Sequence, residues 1–116
     1  MKGPLTDKIR VLHVLDAIAE IESYLSGISY EEYLAISEKR FATIKQVEII
    51  GEACNHITKA VKERLPQVPW KEINGFRNIS IHEYFGVNFK LVWEIAQNDL
   101  PSLKQSLLTI LTELDS

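Results

Sequence analysis

The chain has 116 residues, 46% hydrophobic and 25% charged, with five glycines and four prolines, which is the composition of one globular domain and excludes a disordered or fibrous chain. Its formal net charge of −3 excludes an overall positive field, so any RNA partner must be held by a local patch. Cys54 is the only cysteine, which excludes an intrachain disulfide, and without a signal-peptide core or a membrane-length apolar run we expect a cytoplasmic protein without membrane attachment.

The first predicted helix runs from Leu5 to Leu25, because apolar residues recur there at helical spacing on two neighbouring stripes. Gly27 is the expected stop. A helix that is apolar over more than one stripe needs cover on two sides, which we expect from the bundle and from a second subunit. A short helical turn from Tyr30 to Ile36 is expected to lead to the next element.

The third predicted helix begins near Ser37, whose hydroxyl is the expected cap, and continues to Leu65, where Pro66 stops it. A tight loop then leads to Pro69, which reads as the entry to a fourth helix because proline is favoured at the first helical position. This fourth helix is predicted to end at Gly86.

The fifth predicted helix is capped by Asn88 and carries apolar residues at helical spacing as far as Leu114. Pro101 lies inside this run, which predicts a kink near residues 98–100 or two helices that meet there. The segment 78–82 alternates polar and apolar residues as an edge strand would, but it is short and has no partner strand. We therefore predict an all-α fold.

The segment GFRNISIHEYFG, residues 75–86, concentrates polar side chains in the fourth helix. At about 100° per residue, Asn78 and His82 lie within ~40° of each other, and Arg77 and Tyr84 within ~20°. Arg77 and His82 differ by about 140°, so a single ideal helix does not aim both at one target. Two copies of the helix across a two-fold axis could present both residues to a shared cleft.

These residues also have a purely structural interpretation. Arg77 could form a salt bridge within the bundle, His82 could be a partly buried histidine with its hydrogen bonds satisfied, and Tyr84 could lie at the edge of the core. Composition alone favours this reading, because an Arg and a His five apart are common in helices.

The remaining histidines, the cysteine and one glutamate pair are interpreted as structural residues without a catalytic or metal-binding role. His13 and His56 have no nearby ligand cluster and are interpreted as solvated or packed. Cys54 is interpreted as a small buried hydrophobe. Glu48 and Glu52 have the spacing of a carboxylate pair, but no third ligand completes a metal site.

Four ordered sequence blocks resemble the HepT-like group of HEPN-domain proteins, and the likeness runs in order from roughly Ile9 to Leu108. They are Val47-Glu48-Ile49-Ile50-Gly51-Glu52-Ala53, Pro69-Trp70-x-x-Ile73-x-Gly75, Arg77-Asn78-x-x-x-His82-x-Tyr84 and Val92-Trp93-x-x-x-x-Asn98-Asp99-Leu100-Pro101.

This resemblance implies an antiparallel bundle of four to five helices that forms a homodimer and joins two Arg-x4-His motifs at one cleft. It implies a metal-independent endoribonuclease toxin, without cofactor or metal, in which Arg77 and His82 are catalytic and Asn78 supports them. It further implies a minimal nucleotidyltransferase antitoxin that transfers AMP to Tyr84. Ser80 departs from the family pattern, which usually has a larger apolar residue there.

The expected reaction leaves a 2′,3′-cyclic phosphate, with His82 as general base or acid and Arg77 on the phosphate oxygens. An alternative of another class is a non-catalytic helical dimer that binds nucleotide or docks the nucleotidyltransferase, with Arg77 as an anion anchor. A third is a structural dimer with neither activity.

Overall fold

The computed structural model describes residues 4–79 and 89–114, and these ranges contain helices and turns but no strand. The prediction of an all-α fold is confirmed. The long elements are α1 (Pro4–Leu25), α3 (Ser37–Asn55) and α7 (Leu100–Leu114). Shorter helices lie between them: α2 (Tyr30–Ala35), α4 (Lys59–Glu63), α5 (Trp70–Asn74) and α6 (Phe89–Glu94).

The three long helices form an antiparallel arrangement around α1. Asp7, near the start of α1, bonds Thr58, just beyond the end of α3. At the other end of α1, Glu22 pairs with Lys104 near the start of α7 at 3.1 Å. Helix α1 therefore runs opposite to both neighbours, and the core lies between the three.

Helix α1 is buried along only one of its two predicted stripes. The fully or nearly buried side chains are Val11, Val14, Ile18, Ile21 and Leu25. On the other stripe Ile9 and Leu12 remain 46% and 37% exposed. Gly27 follows the helix with a φ of 73°, which confirms it as the left-handed stop that glycine adopts at low cost.

The predicted continuous helix from Ser37 to Leu65 is wrong. Helix α3 begins at Ser37 but ends at Asn55, and no side-chain hydrogen bond caps its start. The backbone N–H of Thr58 donates to Asp7 Oδ1 at 2.9 Å and its hydroxyl donates to Oδ2 at 2.6 Å. Thr58 is the N-cap of α4 and has an extended backbone, so the residue that Asp7 binds is the one that separates the two helices.

The predicted disturbance near Pro101 is confirmed in position and takes the form of a π-helical turn over Ile95–Asp99. The Leu100 N–H bonds to the Ile95 carbonyl, five residues back. Pro101 has no N–H to donate to the helical hydrogen-bond pattern. The wider π-helical turn before it allows α6 to continue into α7 without this hydrogen bond.

The predicted fourth helix begins where expected but does not continue as an α-helix. Pro69 is the N-cap of α5 and Trp70 its first residue. The α-helix stops at Asn74, and residues 75–79 form a tighter 3₁₀ turn. The predicted continuation to Gly86, and the cap at Asn88, lie outside the described residues.

Candidate functional site

Two of the four predicted site residues lie on the 3₁₀ turn over residues 75–79. The side chains of Arg77 and Asn78 are both exposed there. The ~100° step used to pair them with His82 and Tyr84 does not hold in a 3₁₀ turn, where successive residues are about 120° apart. His82, Tyr84 and the departing Ser80 lie outside the described residues, so their predicted roles stay predictions.

The exposure of Arg77 and Asn78 follows from the three-residue spacing of the apolar side chains around them. Ile73 and Ile79 are 2% and 7% exposed, and Phe76 is half-buried against the core. Side chains three apart eclipse each other in a 3₁₀ helix. With Phe76 and Ile79 turned inward, the two residues between them face solvent.

The backbone of this turn packs directly against Gly51 of α3. A Cβ added to Gly51 would lie 2.4 Å from the Arg77 backbone nitrogen and 2.9 Å from the Phe76 carbonyl carbon and Cβ. Atoms this close overlap, so only glycine allows the two backbones to meet here. The position of Arg77 is therefore fixed through its main chain by a residue 26 positions earlier in the sequence.

The chain re-enters the described structure at Phe89, the first residue of α6, and a tyrosine holds it there. The Tyr33 hydroxyl donates to the Phe89 carbonyl at 2.9 Å. Tyr33 has no exposed surface, and burial, with a smaller contribution from Tyr30, raises its pKa to about 12, although Arg40 acts in the opposite direction. Tyr33 is thus a neutral donor across the physiological pH range.

Arg40 packs against the same end of α6. Its guanidinium lies 4.9 Å from the centroid of the Phe89 ring and donates to the Leu34 carbonyl. Phe41 meets the Phe89 ring edge-on, with centroids 5.8 Å apart. In the described part of the chain, the buried Arg40 Nε has no hydrogen-bond partner, so the contact with the Phe89 ring and the bond to Leu34 are the interactions that hold the guanidinium.

The other residues considered in the sequence have structural surroundings. Glu52 pairs with His56 at 2.8 Å on the surface of α3, and His13 is exposed on α1. Cys54 is fully buried, and this burial raises the pKa of its thiol to about 12, with an opposing effect of Lys62.

In the described part of the chain, no three His, Cys, Asp or Glu side chains converge as metal ligands. None of the helices in the same ranges is long and apolar enough to cross a bilayer.

Sequence reasoning missed Gly51, which contacts the turn that carries Arg77, and Tyr33 and Arg40, which contact the start of α6. Gly51 did carry a signal, because an isolated glycine inside a strong helical pattern often marks a close packing contact. Tyr33 and Arg40 carried none, since their partner Phe89 lies about fifty residues further along the chain.

The fold and the turn define an all-helical domain that presents an arginine and an amide side by side to solvent. Residues 14–110 match the family model described as "Ribonuclease HepT-like". This match spans most of the chain, and the protein belongs to the HepT-like ribonuclease family, as the resemblance predicted.

Curated relatives agree with this family. "Putative RNase MJ1380" of Methanocaldococcus jannaschii is 39% identical over 79% of this chain and 84% of its own length. "Probable ribonuclease HepT" of Thermococcus cleftensis is 38% identical over 78% of this chain and 83% of its own length. A third relative, "Gamma-glutamylcyclotransferase and putative RNase MJ0434" of M. jannaschii, is 37% identical over 93% of this chain and 49% of its own length. No solved structure matches the chain.

Proposed function

We propose that this protein is a metal-independent endoribonuclease whose reaction is carried by Arg77 and His82, with Asn78 in a supporting role. Membership of a ribonuclease family supports the class of activity. The observation that carries the assignment to residues is the exposed Arg77–Asn78 pair on a turn whose backbone is seated on Gly51. The contact with Gly51 fixes the backbone from which the guanidinium extends, and a group that binds a transition state must be positioned.

The proposed reaction is an internal transesterification of RNA. His82 takes the proton of a 2′-hydroxyl, whose oxygen attacks the adjacent phosphorus while the bond from phosphorus to the 5′-oxygen breaks and that oxygen receives a proton. Arg77 holds the non-bridging oxygens as negative charge grows, because its planar fork remains charged and binds two oxygens at once. Asn78 orients His82 or contacts phosphate, and the products carry 2′,3′-cyclic phosphate and 5′-hydroxyl ends.

The proposed active form is a homodimer in which each copy supplies Arg77 and His82 to a shared cleft. One histidine can then act as base while the other acts as acid. Apolar side chains left exposed on the long helices support a partner surface: Ile9 and Leu12 on α1, and Phe41 and Ile49 on α3.

The proposed regulation is that of a toxin–antitoxin pair in the cytoplasm. A minimal nucleotidyltransferase would transfer AMP to Tyr84, two residues after His82. The added phosphate and nucleoside would exclude RNA from the cleft by charge and by bulk.

The rival function is a non-catalytic helical dimer that binds nucleotide or docks the nucleotidyltransferase. The net charge of −3 favours it, because a protein without a positive field attracts RNA weakly. In this case Arg77 would anchor an anion without cleaving it.

The deciding experiment is cleavage of bulk tRNA and of a defined oligonucleotide in excess EDTA, with protein whose intact mass shows no added AMP. Wild type is compared with Arg77→Ala, His82→Ala and the control His13→Ala, which removes an exposed histidine from α1. We expect wild type and the control to cut and leave cyclic phosphate ends, and the other two variants to lose ~10²-fold or more in rate at unchanged melting temperature.

Three results would contradict the proposal. Cleavage that disappears in EDTA would overturn the metal-free reaction. Full activity in His82→Ala would remove that residue from the chemistry. Absence of cleavage in every protein, with nucleotide binding that depends on Arg77, would establish the rival.

A further inference from the structure

A cavity of about 200 Å³ lies beside the turn that carries Arg77, between residues 67–76 and the beginning of α7. Its walls are mainly apolar, formed by Val68, Pro69, Ile73, Phe76, Leu100 and Leu103. An apolar cavity of ~150 Å³ is large enough to hold a benzene ring. This cavity therefore has room for one aromatic ring with a small polar substituent.

The π-helical turn contributes Asp99, its last residue, to the lining of the cavity, and the side chain of Asp99 is exposed. The Ser102 hydroxyl donates to the Asp99 carbonyl at 3.2 Å and holds the main chain at this point. Single π-turns are costly interruptions of a helix that occur frequently at functional sites. The motif Asn98-Asp99-Leu100-Pro101 thus coincides with the end of a π-helical turn, which has no part in the proposed ribonuclease reaction.

Among the described residues that line this cavity, the charged ones all have the same sign. Glu72 of α5 lines it together with Asp99, and these described residues include no Lys, Arg or His. Neither carboxylate forms an ion pair within the described parts of the chain. Burial, followed by repulsion from Glu94, raises the pKa of Asp99, as expected where negative charge is not balanced by a cation.

We propose that this cavity binds a small organic cation with a flat apolar body, of the aryl amidine or arylmethyl amine class. The ring would rest on Ile73, Phe76 and Leu103, and the cationic group would face the two carboxylates. Charge complementarity selects a cation over a neutral or anionic ligand of the same shape, and the volume selects a single ring.

The occupant would contact the turn that presents Arg77. Phe76 lines the cavity and also contacts Gly51. The same residue therefore lies between the proposed ligand site and the glycine that packs against the Arg77 backbone. The binding proposal stands on the cavity alone and does not depend on the ribonuclease function. Its test is therefore a binding measurement.

The probe is benzamidine, which carries an amidinium, and the matched control ligand is benzamide, which has nearly the same shape and no charge. Binding is measured by calorimetric titration and located by amide chemical shifts. Wild type is compared with Asp99→Asn, Glu72→Gln, the double variant, and Asp16→Asn as a control for an exposed carboxylate of α1. Far-UV circular dichroism checks the fold of each variant.

We expect benzamidine to bind wild type and Asp16→Asn equally and to shift the amides of residues 72–76 and 99–103. Each single variant at the cavity should weaken binding by about three- to fivefold and the double variant by about tenfold, as for partly exposed ion pairs. Equal affinity for benzamide, absence of binding, unchanged affinity in folded Asp99→Asn and Glu72→Gln, or shifts confined to other residues would each overturn the proposal.

Discussion

The chain segments on either side of residues 80–88 are fixed by different kinds of contact. We call the segment before residue 80 the upstream end and the segment after residue 88 the downstream end. The upstream end, at Phe76 and Arg77, is held by the absence of a side chain at Gly51, where two backbones meet. The downstream end, at Phe89, is held by added side-chain groups, the hydroxyl of Tyr33 and the guanidinium of Arg40. Both sets of supports come from α2 and α3, so the amino-terminal half of the chain positions both ends.

This difference determines how each end responds to substitution. The contact at Gly51 tolerates no added atom, because a backbone cannot move aside as a flexible side chain can. A hydrogen bond can be lost singly, at a cost of about 1 kcal/mol. The upstream end should therefore fail abruptly when volume is added, and the downstream end should weaken in steps when polar groups are removed.

The largest effect is expected for Gly51→Ala. Alanine gains ~1 kcal/mol in helix propensity, but its Cβ would lie 2.4 Å from the Arg77 nitrogen, and overpacking of this kind costs ~1–3 kcal/mol or more. We expect a net loss of about 1–2 kcal/mol in the free energy of unfolding, measured by urea denaturation. RNA cleavage should fall further than the folded fraction, since Arg77 is displaced even in folded molecules.

A smaller effect is expected for Tyr33→Phe at the downstream end. This change removes the hydroxyl that donates to the Phe89 carbonyl and should cost about 1 kcal/mol in urea denaturation. The control is Tyr24→Phe, whose hydroxyl accepts from Gln46 Nε2 at 3.2 Å in a part-buried contact. Equal losses in both variants would mean that the Phe89 contact has no special role in holding α6.

The cost of Tyr33→Phe should also depend on pH. The Tyr33 pKa is raised from 10.0 to about 12 in the folded state, so between these values the unfolded chain has released a proton that the folded chain retains. The stability that Tyr33 contributes is complete below pH 10 and is lost as pH rises toward 12, by up to ~1.4 kcal/mol per pH unit. In urea denaturation at pH 9 to 11, the difference between wild type and Tyr33→Phe should therefore shrink with rising pH. A constant difference would contradict the raised pKa.

Local patterns in the sequence were sufficient for much of the fold. The extent of α1, its stop at Gly27 and the disturbance before Pro101 each depend on residues within a turn or two, and all three are confirmed. The break between α3 and α4 was not predictable in this way. It depends on Asp7, which lies 51 residues from its partner Thr58, and no local pattern reports such a contact.

The same limit applies to the candidate site. The motif identified Arg77 and Asn78, and the structure has both exposed on one turn. The α-helix predicted over residues 75–79 is instead a 3₁₀ turn. The contact of this turn with Gly51 is a tertiary contact that local spacing does not report. The predicted roles of His82 and Tyr84 rest on the resemblance.

The smallest effect, and of opposite sign, is expected for Gly75→Ala, which is also the matched control for Gly51→Ala. Gly75 has φ −67° and ψ −18°, a conformation that alanine adopts freely, and a Cβ added there meets no atom within 4 Å in the described part of the chain. Alanine restricts the unfolded chain, so the free energy of unfolding should rise by ~0.4–1 kcal/mol, seen as a higher urea midpoint at unchanged slope. Since the two variants make the same chemical change, opposite signs would locate the upstream constraint at the contact of Gly51 with Arg77. A loss of stability in Gly75→Ala would instead show that the whole turn from Gly75 onward tolerates no added volume.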